Sequence, residues 1–215
     1  MLEALKQIVR GTPLYYPLRN CWHWMDQGRD LERWEASGRP APPPHVVKQR
    51  VIKEYAEKYN LEILIETGTF RGDMVEAMKN VFDQIYSVEL SHALFQAARR
   101  RFRSQRHIRI IQGDSAVVLE LLIKEIGCPA LFWLDGHYSA GVTAKGRNDT
   151  PIYDELTHIL ASPIKGHVII IDDARCFGTD PAYPTIEEVK RFVLSKCPSL
   201  KVAVDTDSIR ITPEP

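Results

Sequence analysis

Residues 61–213 read as a doubly wound α/β domain on a mostly parallel, seven-stranded sheet that closes with an antiparallel C-terminal hairpin. Three observations carry this reading. Five short apolar runs, Ile63–Ile65, Ile85–Val88, Ile108–Ile111, Leu131–Leu134 and Val168–Ile171, have the length and continuous hydrophobicity of strands buried on both faces. Helix-length segments lie between them, and strands alternating with helices at this spacing form parallel βαβ units with right-handed crossovers. The last two runs, Lys201–Val204 and Ser208–Ile211, alternate in polarity and are split by Asp205-Thr206-Asp207, as in an antiparallel hairpin.

Taken in order, residues 1–45 form an extension and residues 46–215 the main domain. The extension holds three of the four tryptophans, Trp22, Trp24 and Trp34, and the cluster Pro40, Pro42, Pro43 and Pro44. A proline run is stiff and extended, so it reads as a spacer. Val47, Val51, Tyr55 and Tyr59 recur every fourth residue and predict an amphipathic helix ending near Asn60. Within the domain, helices are predicted near Asp73–Val81, His92–Arg103, Ala116–Ile126, Pro151–Leu160 and Ile186–Leu194. A long loop from Gly136 to Asp149 precedes Thr150-Pro151, an N-cap followed by a first helical residue.

Composition narrows the function. Across 215 residues, 28 basic side chains balance 28 acidic ones, which gives no reason to expect general nucleic-acid binding. Six arginines occur between Arg99 and Arg109. They are expected to complement a helix C-terminus and solvate a surface away from any ligand. No apolar run reaches the roughly 20 residues that span a bilayer, so no membrane partner is expected. Nor is a signal peptide expected, because Met1-Leu2-Glu3-Ala4-Leu5-Lys6 holds an early acid and lacks a long apolar core. Cys21, Cys128, Cys176 and Cys197 are scattered, which fits reduced thiols in a cytoplasmic protein.

Ligands of an open parallel sheet bind beyond the carboxyl ends of its strands. Those ends carry Glu66-Thr67-Gly68-Thr69-Phe70-Arg71-Gly72, then Glu89, Gly113-Asp114-Ser115, Asp135-Gly136-His137 and Asp172-Asp173. Carboxylates gathered on one rim repel each other, so a purely structural domain has no need of this series. Gly68 and Gly72 permit a tight turn and close backbone approach, beside a helix N-terminus that can face a ligand carboxylate. Glu89 can accept two vicinal hydroxyls, and Asp114, with the Ser115 backbone nearby, can accept an exocyclic amine. A negative rim suits a cationic ligand.

The series E-x-G-x-x-x-G after strand one, Glu89 after strand two, Gly113-Asp114 after strand three and Asp135 after strand four, followed by the hairpin, resembles the class I S-adenosylmethionine-dependent methyltransferases. The resemblance implies a Rossmann-like methyltransferase fold with S-adenosylmethionine held by Glu66, Gly68, Gly72, Glu89, Gly113, Asp114, Ser115 and Asp135. A nicotinamide-binding Rossmann domain is the nearest rival, but its G-x-G-x-x-G turn is missing.

Strands four and five are neighbours in that fold, so Asp135 would converge with Asp172 and Asp173. The group resembles the metal-dependent O-methyltransferases of the catechol and macrolide-sugar types, which implies Mg²⁺ on Asp135, Asp172 and Asp173. The alternative is that Asp173 caps a turn while Arg175 neutralises the acidic pair. His137, two residues past Asp135, is the candidate general base beside Asp135, against the alternative of a histidine that bonds its own loop. Lys145 and Arg147 either contact substrate or are solvated. Tyr183-Pro184 and the aromatic extension either cover the site or pack the domain or a homodimer. The expected partner is a small-molecule or saccharide acceptor carrying a hydroxyl. A metal-free methyltransferase and a catalytically silent cofactor-binding protein remain as alternatives.

Overall fold

The computed structural model describes residues 28–136 and 151–214. The chain divides into two units between Arg50 and Val51, inside a helix rather than at the proline cluster. In the first unit, helix α1 spans 28–36. Beyond its end the Trp34 indole N–H donates to the Pro40 carbonyl at 2.7 Å, and the Arg39 guanidinium lies 5.8 Å from the same ring. The proline cluster includes a cis Ala41–Pro42 bond. Helix α2, His45–Tyr59, runs across the division.

The second unit is a seven-stranded sheet in the order β3-β2-β1-β4-β5-β7-β6. Its strands are β1 Ile63–Thr67, β2 Gln84–Glu89, β3 Ile108–Gln112, β4 Ala130–Leu134, β5 Val168–Ile171, β6 Leu200–Asp205 and β7 Ser208–Pro213. The first five pair in parallel, and β7 runs antiparallel to both β5 and β6. The helices between them are α3 Asp73–Met78, α4 His92–Arg101, α5 Ser115–Glu125, α6 Ile152–Leu160 and α7 Ile186–Lys196.

Each expected strand is present, and most extend by a polar residue that apolar patterning does not mark. Thr67, Glu89 and Gln112 close their strands because their backbones still pair in register, Thr67 with Val88 and Leu134, and Glu89 with Gln112. Helix α3 is shorter than predicted, ending at Met78. Helix α6 begins at Ile152, with Pro151 as its cap residue.

Two apolar layers sandwich the sheet. On one face Ile52 of α2, Met78 of α3 and Phe102 just after α4 pack on Leu64, Ile85, Trp133 and Ile170. On the other, Leu119, Leu156 and Val189 from α5, α6 and α7 pack on Ile65, Phe132, Leu134 and Ile169. β1, β4 and β5 are buried along their whole length, which is why their sequences are continuous apolar runs and do not alternate. β6 is the open edge and stays mostly exposed. Its hairpin turn places Thr206 and Asp207 at φ of 50° and 60°, the left-handed pair that a two-residue turn of matching twist requires.

Candidate functional site

The strand order reverses between β1 and β4, so the crevice beyond their carboxyl ends is the topological switch point. Backbone hydrogen bonds hold the strand ends in one register there. Asp135 N–H donates to the Thr67 carbonyl at 3.1 Å, Asp172 N–H to Leu134 at 3.0 Å, and Gly113 N–H to Glu89 at 3.0 Å. The acids predicted from the sequence therefore share one rim.

The loop after β1 is built from left-handed residues: Gly68 at φ 90°, Phe70 at 48° and Gly72 at 74°. Gly68 is obligatory for a second reason, because a Cβ there would lie 2.5 Å from the Asp135 carbonyl oxygen. The Phe102 ring closes on Gly72 in the same way, 2.6 Å from where a Cβ would sit. Phe70 has no such excuse, and a left-handed L-residue costs about 1–2 kcal/mol. Its amide explains how the cost is met: Phe70 N–H donates to Glu89 Oε2 at 2.7 Å.

Glu89 is the last residue of β2 and is buried. Its other oxygen accepts the Ser91 N–H at 2.8 Å. Each carboxylate oxygen thus holds one backbone amide and keeps a further lone pair for a ligand hydroxyl. Glu66 differs from its expected place, since it lies inside β1 and not beyond it. There it is 2 % exposed and accepts a hydrogen bond from the Ser87 hydroxyl. Burial pushes its carboxyl up to about 8, Ser87 draws it partly back, and Glu89 and Asp73 push it further. It is therefore mostly protonated at neutral pH and adds no full charge to the rim.

Asp114 caps α5, its Oδ1 accepting the Ala116 N–H at 3.1 Å, and Ser115 is the first residue of that helix. Gly113 at φ 155° has the Val118 side chain 2.6 Å from its missing Cβ. α3 offers less to a ligand carboxylate than expected. It has only six residues, and Asp73 and Glu76 in its first turn oppose an anion.

One buried acid escaped the sequence reading. Glu155 on α6 is 1 % exposed and sits under the rim, near the Ser115 and Thr67 hydroxyls. Burial pushes it up to about 7, and the two hydroxyls draw it partly back. Neither Glu155 Oε1 nor Thr67 Oγ1 reaches hydrogen-bond geometry with a described residue. The signal was available: Glu155 lies on the apolar stripe of Ile152, Leu156 and Ile159, where an acid is out of pattern.

The arginine run also needs correction. Arg99, Arg100, Arg103, Arg106 and Arg109 are exposed as expected, and Arg109 pairs with Glu125 at 2.6 Å. Arg101 is not solvated. Its side chain is 7 % exposed and turns onto the loop after β1.

An arginine occupies the corner expected to hold a metal. Asp172 is buried, and Asp173 adopts a left-handed φ of 57°. Asp173 Oδ1 accepts a hydrogen bond from Arg175 Nη1 at 2.8 Å, and the same nitrogen bonds Asp207 of the β6–β7 turn. Burial works against the Arg175 cation, but Asp173 and Asp207 outweigh it and hold the guanidinium firmly charged. Among the described residues no three His, Cys, Asp or Glu side chains are grouped to hold a metal. One Asp173 oxygen is thus committed to a guanidinium, and nothing in this arrangement shows Mg²⁺ on Asp135, Asp172 and Asp173. His137, Lys145 and Arg147 lie outside the described residues, as do Trp22 and Trp24. Tyr183 is half-buried against the Phe177 ring at 5.2 Å, and burial with nearby Cys176, Asp173, Asp180 and Asp135 keeps its hydroxyl protonated. No described helix is long and apolar enough to cross a membrane.

A Rossmann-like sheet with an acidic rim at the β1/β4 switch point and an antiparallel last strand defines the class. Solved structures share the fold. An O-methyltransferase from Bacillus cereus in complex with SAH matches with a TM-score of 0.60 at 15% identity, over 100% of each chain. TomG from Streptomyces achromogenes, an O-methyltransferase involved in tomaymycin synthesis and solved with SAM, gives 0.57 at 17% identity, over 86% of this chain and 87% of that one. SAH-bound PaMTH1 of Podospora anserina gives 0.57 at 16% identity, over 86% and 88%. No family model and no curated protein sequence matches the chain. The chain has the class I methyltransferase fold.

Proposed function

We propose that this protein is an S-adenosylmethionine-dependent O-methyltransferase whose acceptor is a hydroxyl of a sugar or a natural-product-like small molecule. One observation carries the cofactor reading: Glu89, at the end of β2, is buried and anchored through both oxygens to backbone amides. It is thereby preorganised at the switch point for two vicinal hydroxyls such as those of a ribose. The Gly68–Gly72 loop would take the methionine portion, and Gly113, Asp114 and Ser115 the adenine, with Asp114 keeping its capping bond. Asp135 would meet the ammonium group. When bound, S-adenosylmethionine supplies a methyl group on a sulfonium, which an acceptor oxygen displaces in line to leave S-adenosylhomocysteine. The chain's contribution is alignment of the two reactants and removal of the hydroxyl proton, for which His137 is the proposed base.

The Asp173–Arg175 ion pair favours the metal-free form of this activity, and no step is assigned to magnesium. Titration calorimetry with S-adenosylhomocysteine tests the cofactor assignment. Wild type should bind, and Glu89→Ala should lose about 1.5–3 kcal/mol, a roughly 10- to 150-fold weaker Kd. Unchanged affinity in the variant removes Glu89 from the site. Binding of a nicotinamide dinucleotide in place of S-adenosylhomocysteine overturns the proposal.

A further inference from the structure

The loop after β1 has left-handed residues at 68, 70 and 72, and such a backbone persists only where surrounding groups over-determine it. Its inner side is tied to β2: Gly68 N–H and Thr69 N–H both donate to the Val88 carbonyl, at 2.9 and 3.1 Å, and Phe70 N–H donates to Glu89. Its outer side is tied to the end of α4. Arg101 Nη1 donates to the Arg71 carbonyl at 2.6 Å and to Asp73 Oδ1 at 2.9 Å, while Nη2 lies 3.6 Å from Glu76 Oε2. The guanidinium carbon lies 5.1 Å from the Phe102 ring, whose edge fills the space beside Gly72. Consecutive residues are therefore held from opposite directions, Phe70 through its amide by Glu89 and Arg71 through its carbonyl by Arg101.

We infer that Arg101 is a positioning residue for the cofactor loop, acting through the Arg71 carbonyl and Asp73 and not through contact with the ligand. This rests on the reading of the β1 loop as part of the S-adenosylmethionine site. A guanidinium suits the task because Nη1 serves the Arg71 carbonyl and Asp73 while Nη2 faces Glu76. An ammonium carries its three donors on one nitrogen and lacks the second nitrogen that faces Glu76. Of the acids that make the α3 N-terminus unfavourable to an anion, Asp73 is paired with Arg101, and Glu76 is shared between Arg101 and Lys79. Without Arg101, the Arg71 carbonyl and Asp73 would lose these bonds next to a loop already strained at Phe70, while Glu76 would keep its pair with Lys79.

The test pairs calorimetry of S-adenosylhomocysteine with amide hydrogen exchange of the ligand-free protein. Arg101→Ala should weaken binding roughly tenfold or more, as expected for loss of charge-assisted bonds. Exchange at residues 69–73 should accelerate while the amides of β4 and β5 keep their protection. Arg101→Lys should recover part of the affinity. Arg100→Ala, one residue away on the exposed side, should behave as wild type. In turnover the loss should fall on the KM for S-adenosylmethionine more than on kcat, since the reacting centre is untouched. If wild type binds and Arg101→Ala binds equally well with unchanged exchange at 69–73, the positioning role is overturned and the cofactor reading stands. If wild type does not bind, both fall. If Arg101→Ala fails to fold, Arg101→Lys decides: wild-type affinity and wild-type exchange overturn the inference, and intermediate values support it.

Discussion

Glu66 should make this protein less stable as the solution turns alkaline, and Glu66→Gln should remove that liability. The carboxyl is 2 % exposed within β1 and is lifted from an ordinary 4.5 to about 8, chiefly by burial. An acid whose folded pKa is raised binds its proton more tightly in the folded state. Its contribution is fully present below about pH 4.5 and is lost as pH rises through about 8. At about 1.4 kcal/mol per pH unit, that interval corresponds to a ceiling of about 5 kcal/mol. Side-chain movement and entry of water recover part of the cost of a buried charge, so a loss of at least about 2 kcal/mol is expected. Glutamine keeps the shape and the acceptor for the Ser87 hydroxyl but cannot ionise. Urea denaturation of wild type and Glu66→Gln at pH 5.5, 7 and 9 measures the difference directly. The variant should be similar to wild type or slightly weaker at pH 5.5, and clearly more stable at pH 9. Glu155, lifted to about 7, adds to the alkaline loss in both proteins and so cancels in the comparison. Identical pH dependence for the two proteins would refute the assignment of a buried protonated carboxyl at position 66.

Three further outcomes are expected. Gly68→Ala should abolish cofactor binding and destabilise the fold, because its methyl would sit 2.5 Å from the Asp135 carbonyl oxygen in a left-handed backbone; a fully stable, binding-competent variant would show that the loop yields easily. Turnover should survive a chelator, since Arg175 serves Asp173; loss of activity in chelator with recovery on added Mg²⁺ would restore the metal reading. His137→Ala should slow methyl transfer by roughly 10²–10⁴ with S-adenosylhomocysteine affinity intact, and its residual rate should rise with pH; a wild-type rate would exclude His137 as the base.

Much of this architecture was legible in the amino-acid order, because the relevant signals are local. A buried parallel strand must be apolar on both faces, so β1, β4 and β5 announced themselves as unbroken runs, and their order with the intervening helices prescribed the doubly wound sheet. Strand ends then located the acidic rim. What stayed hidden depends on which side chain meets which across long separations. Arg101 looks like its five neighbours in sequence, yet it lies three residues after the buried Ala98, on the same helical face, and turns inward onto Arg71 and Asp73. Asp172 and Asp173 read as a pair of acids, and only the fold shows the hairpin bringing Asp207 against Arg175, thirty-two positions away, with the same guanidinium bonded to Asp173. Glu66 and Glu89 are both strand-end acids by pattern and both buried, and their hydrogen-bond partners separate them. One is enclosed in the sheet beside a single hydroxyl and keeps its proton. The other sits where two backbone amides point at its oxygens. Desolvation and hydrogen bonding are properties of a place in three dimensions, and composition and spacing along the chain do not contain them.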